Sequence, residues 1–124
     1  MRPRRSGSRF RLNVEKAEKL LRRLALNDES AVHSVLAGNP EAGGVPALDR
    51  KSHALVSLGA LLAMGAGTTS LKWMADTAYE AGATDEEIVG VLVAAGPELG
   101  LAGIVCEAPK LALAMGYDVE DVLS

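Results

Sequence analysis

The chain has 124 residues, 48% of them hydrophobic and 23% charged, with a formal net charge of −3. That is the length of one domain and the composition of a globular protein rather than a disordered one. Aromatic residues are only 3% of the chain, which excludes a base-stacking nucleic-acid platform and favours helices packed through Ala, Gly, Leu and Val.

Arg2, Arg4, Arg5, Arg9 and Arg11 stand in the first eleven residues without an acid among them. Residues 1–12 therefore read as a basic N-terminal arm. Such an arm is either a solvated terminus or a contact for nucleic acid or an anionic membrane surface. Its shortness and single aromatic favour the solvated terminus. It lacks the apolar core of a secretory signal. Residues 13–124 read as one helical domain.

Asn13 has the chemistry of an N-cap. Val14, Ala17, Leu20, Leu21 and Leu24 then recur at helical spacing, opposite Glu15, Lys16, Glu18, Lys19, Arg22 and Arg23. This predicts a first helix ending near Leu26. Asp28 caps a short second helix through Ala37, with Gly38 as its stop. Residues 38–47 hold two prolines and several glycines and read as a loop. Asp49 opens a third helix that runs toward Gly65. A fourth is predicted from about Ser70 to Ala81, stopped by Gly82. Thr84 followed by Glu87 has the form of a capping box and starts a fifth helix, Asp85 to about Ala95. A sixth runs from about Pro97 to Met115, with Pro109 expected to kink or shorten it. Asp118 begins a last short turn. Strand signals and repeats are absent, so the expected class is an all-α bundle of about six helices.

Residues Ile88 to Cys106 are almost continuously apolar and approach a membrane-spanning length. Pro97 and Glu98 interrupt them, with Gly96 and Gly100 alongside. A carboxylate at the bilayer centre is costly, so two buried helices broken at Gly96-Pro97 are expected instead of a span. Cys106 is the only cysteine. It excludes an internal disulfide and fits a reducing cytoplasm. Between Val105 and Glu107 it reads as a small buried hydrophobe rather than a nucleophile.

The stretch from Leu48-Asp49 through LDRKSHALVSLGALLAMG, then TTSLKWMADTAYEAGATDEEIVGVLV, carries an ordered pattern. Leu-Asp opens an apolar helix, a glycine turn follows, and the next helix bears Trp73. Then come Glu80-Ala81-Gly82-Ala83-Thr84 and an acid-led helix with Glu86, Glu87 and Ile88. Over roughly residues 45–115 this resembles the carboxymuconolactone decarboxylase and alkylhydroperoxidase D-like superfamily. The resemblance implies an all-helical fold that assembles with itself as a homotrimer or homohexamer.

The resemblance also implies chemistry that this chain lacks. The thiol-redox branch of the family places Cys-x-x-Cys at the start of the tryptophan-bearing helix. A helix N-terminus lowers a thiol pKa there, and the second thiol resolves the first. The paired positions here are Gly67 and Ser70, or Ala66 and Thr69, depending on where a one-residue insertion is placed. The family's histidine position is Met74, and its glutamate position is Ala54 or Leu55. None of these side chains carries out thiol or proton-relay chemistry, so a thiol peroxidase is not expected.

Two function classes stay open. One is a non-redox member of the family, a homo-oligomer that binds a small molecule or persists as a degenerate scaffold. The other is a lyase or decarboxylase acting on a small anionic lactone or carboxylate without thiol chemistry. For the second, His53 is the candidate catalytic residue, set against the plainer reading of a helix-end histidine. Thr68, Thr69 and Ser70 supply hydroxyls and backbone N–H groups that suit an anion or simply cap a helix. Trp73 and Met74 complete the candidate pocket. Arg50 and Lys51 sit near a helix start against the dipole, which points to an interface or an anionic partner. Glu98 is either a first-turn carboxylate or a buried acid. His33 gains no role. No cofactor or metal is implied, and neither nucleic acid nor a membrane is the expected partner.

Overall fold

Helix boundaries in the computed structural model follow capping chemistry more closely than hydrophobic periodicity. The structure describes residues 8–38 and 48–118. Five helices cover most of them: α1 (Ser8–Ala25), α2 (Glu29–Leu36), α3 (Arg50–Met64), α4 (Thr68–Glu80) and α5 (Asp85–Ala114). No strand occurs among the described residues. The protein is all-α, with five helices rather than six. The predicted loop at 38–47 lies outside the described residues beyond Gly38, as does any turn after Asp118.

The contacts divide the chain into two compact units, 1–48 and 49–124. In the first, α1 and α2 pack together. α1 begins at Ser8, so Asn13 lies inside it and is not its cap. The arginine-rich stretch favours helix intrinsically, and this carries the helix back through half of the predicted arm. Asp28 caps α2 by accepting from the Ala31 N–H, and Arg23 holds the same carboxylate at 3.1 Å. Both contacts favour the charged form and keep the Asp28 carboxyl below its ordinary value, Arg23 being the larger cause.

In the second unit, α3, α4 and α5 pack pairwise on one another. Ala54, Leu58 and Leu62 come from α3, and Leu71, Ala75 and Ala78 from α4. Ile88, Leu111 and Ala114 come from α5, and all nine join one buried cluster with Ala83. Half of these positions are alanine. The other five, Leu58, Leu62, Leu71, Ile88 and Leu111, are large aliphatic side chains and are all buried. The low aromatic content thus corresponds to closely spaced helices around five aliphatic anchors.

α5 departs most from expectation. The predicted break at Gly96-Pro97 does not form. A proline's fixed φ is itself helical, so Pro97 removes a hydrogen bond without reversing the chain. Gly100 instead takes φ 72 and ψ 175, a conformation essentially reserved for glycine. A straight 30-residue helix would span about 45 Å. Yet the Tyr117 hydroxyl, just past its end, donates to Asp85 Oδ2 at 3.2 Å. The chain therefore folds back at Gly100, and residues before and after the bend both reach the core. Helix continues past Pro109 to Ala114, so that proline does not shorten the second arm. α5 is long and apolar enough to cross a membrane by length and composition alone. Its fold-back, however, is the geometry of a hairpin and not of a single straight span.

Gly100→Ala is expected to cost about 2 kcal/mol, because a Cβ is strained at this φ and ψ whatever space surrounds it. Urea denaturation measures this, and an unchanged midpoint would mean that the bend is not formed.

The start of α5 is fastened twice. Thr84 Oγ1 accepts from the Glu87 N–H at 3.1 Å, and Glu87 Oε1 accepts from the Thr84 N–H at 3.0 Å. Lys51 on α3 reaches Glu87 Oε2 at 3.0 Å. Lys51 foremost, then the Thr84 N–H, holds the Glu87 carboxyl below its ordinary value. A carboxyl with a depressed folded value adds stability above its unfolded value, and this is lost as pH falls through the folded one. Acid unfolding of Lys51→Met is therefore expected to show a shallower loss of stability below about pH 4.5 than wild type. Denaturation midpoints measured from pH 7 to 3 check this. Parallel profiles would remove the pair from the acid response.

Candidate functional site

The turn between α3 and α4 is where the sequence places its candidate pocket. Gly65 ends α3 in the left-handed conformation, and its N–H and that of Ala66 return to Leu62 and Leu61 carbonyls. Gly67 is the N-cap of α4 and, being glycine, offers no side-chain acceptor. Thr68, Thr69 and Ser70 therefore form the first helical turn of α4. The sequence places the start of this helix at about Ser70, two residues later than the structure does.

Of the remaining candidates, Trp73 and Met74 follow on α4 and His53 lies on α3. Trp73 is 75% exposed. Thr77, one turn later, donates its hydroxyl to the Trp73 carbonyl at 2.9 Å. Met74 is half-buried and packs on the core cluster. His53 is exposed, although Ala54 beside it is buried. It lies in the first turn of α3, twelve positions before Gly65, or about 18 Å along the helix axis. The structure thus groups Thr68, Thr69, Ser70, Trp73 and Met74 on α4 and leaves His53 toward the opposite end of α3.

One pair at this turn was not anticipated from sequence. Glu107, in the second arm of α5, is 3% exposed, the one buried charged residue among those described. Its Oε1 meets Lys110 Nζ at 3.0 Å. Lys110 in turn donates to the Ala66 carbonyl at 3.3 Å, linking α5 to the α3–α4 turn. Gly65 lies beside the carboxylate, and it is its φ of 70, not a lack of space, that favours glycine there, since a Cβ would sit at an ordinary contact distance of 3.7 Å from Glu107 Oε1. Glu107 Oε2 is buried and has no hydrogen-bond partner. An unpaired buried oxygen of this kind costs about 1–3 kcal/mol. The pair at i and i+3 within an otherwise apolar run was the available signal. Helical spacing alone does not tell whether such a pair faces inward or outward.

A second polar cluster joins the ends of α4 and α5. The Tyr79 and Tyr117 hydroxyls both donate to the Asp85 carboxylate, one to each oxygen. Burial, and then the bond to Asp85, push the Tyr79 phenol up to about 12. The negative charge of Asp85 raises Tyr117 as well. The cluster is a clasp that holds the returning arm of α5 beside its start.

Several expectations for single residues change. Cys106 is exposed rather than buried, because the inward face of its arm is set by Glu107, Leu111 and Ala114. Glu98 is exposed near the bend, so it is not a buried acid. Lys51 finds its anion within the chain, on Glu87, which accounts for a cation near the start of α3. Arg50 is exposed. His33 is exposed and stands 3.6 Å from Glu29. Among the described residues, no group of three His, Cys, Asp or Glu side chains is placed to hold a metal ion.

A groove of about 560 Å³ lies along α1, lined by Glu15, Lys19, Arg22, Arg23, Leu26 and Asp28 among others. It contains none of the candidate residues. Comparison with protein-family models, curated proteins and solved structures finds no match to this chain.

Proposed function

We propose that this protein is a non-redox, carboxymuconolactone decarboxylase-like homo-oligomer that serves as a small-molecule-binding protein or a degenerate scaffold. The observation that supports self-association is the apolar surface left on α5. Val93 is 71% exposed, Leu101 81% and Val105 64%. Val93 lies on the first arm of α5 and Leu101 and Val105 on the second, and exposed aliphatic groups that adjoin one another mark an interaction surface. An Ala-rich core with five large anchors buries little per residue, and identical faces meeting across a symmetry axis offset that deficit. A trimer or hexamer is the expected assembly, and the cytoplasm the expected compartment.

Binding or scaffolding is preferred to a lyase because His53 lies far from the first turn of α4 and is open to water. A proton donor for a carbon centre must lie within hydrogen-bond reach of it. The thiol activities of the resembled family are not expected either. Positions 66, 67, 69 and 70 are Ala, Gly, Thr and Ser, and the single thiol lies on α5.

Sedimentation or light scattering on the full chain tests the assembly. Wild type is expected to run at three or six times its monomer mass, and Leu101→Glu with Val105→Glu to dissociate it. A monomeric wild type that is stable and folded would overturn the proposal. A thiol-dependent peroxidase assay is expected to read zero, and turnover abolished by Cys106→Ser would restore a redox reading. A thermal-shift screen of small carboxylates and lactones separates the binding protein from the scaffold.

A further inference from the structure

No further inference is drawn: the strongest candidate, the buried Glu107–Lys110 pair against the Gly65–Gly67 turn, belongs to the site already described, and its unpaired carboxylate oxygen is sealed from solvent with nothing in the structure to show a ligand that reaches it.

Discussion

Lys110→Met is expected to destabilise the second unit by about 3 kcal/mol, the low end of the range for breaking a buried ion pair. The loss is not that of the attraction alone. Glu107 is 3% exposed and already has one oxygen without a donor, so removing the lysine leaves the whole carboxylate unpaired in an apolar interior. Lys110 itself is partly exposed, which keeps the expected loss from the top of the range. The Ala66 carbonyl also loses its donor, so the turn into α4 loosens at the same time. Removing both charges tests the cause. Glu107→Leu combined with Lys110→Met should recover most of the lost stability, because no charge is then left buried. Chemical denaturation of the two variants and wild type, at one fixed protein concentration, provides the comparison. If the double variant is no better than Lys110→Met, the pair is not the source of the effect.

Leu71→Ala is expected to cost about 3 kcal/mol, within the 2–5 kcal/mol seen for buried leucines. Leu71 is fully buried one turn into α4, just below Thr68, Thr69 and Ser70. Its neighbours in the cluster include Ala54, Ala75, Ala78, Ala83 and Ala114, which cannot extend to refill a cavity. A core with few large side chains loses a greater share of its packing when one is removed. Leu71→Met, close in volume, should lose less than about 1.5 kcal/mol. Urea denaturation distinguishes the two, and equal losses would mean that volume at this position does not matter.

Much of the helical scaffold was legible because its signals are local. Asp28, Asp49 and Thr84 cap the helices that follow them, and each carries out this role with its own side chain. Gly65 and Gly82 stop helices with positive φ where stops were expected. The start of α1 was misplaced, because a plausible capping residue at Asn13 competes with arginines that favour helix on both sides. The bend in α5 was placed at Gly96-Pro97 because proline is the more visible interruption. Gly100 makes the bend, with backbone angles that a residue bearing a Cβ rarely adopts. The fifth and sixth predicted helices are the two arms of α5, joined across the bend at Gly100.

The candidate site was less legible than the fold. The α4 residues and the turn before them were found by their position along the chain. His53 was added on its chemistry, and the structure places it toward the far end of α3. The sequence does not mark Glu107 and Lys110 as inward-facing, since two charges three apart on a helix usually face water. The Ala66 carbonyl that accepts from Lys110 is 44 residues away from it.

The amino-acid sequence by itself determined the all-helical class, most helix ends and the small-residue core, because these depend on side chains within a turn or two of one another. The fold-back of α5 was decided only in the tertiary structure. So were the inward turn of Glu107, the exposure of Cys106 and the separation of His53 from α4. Each depends on which face of a helix meets another helix, and in α5, apolar nearly all round, the sequence pattern does not mark that face.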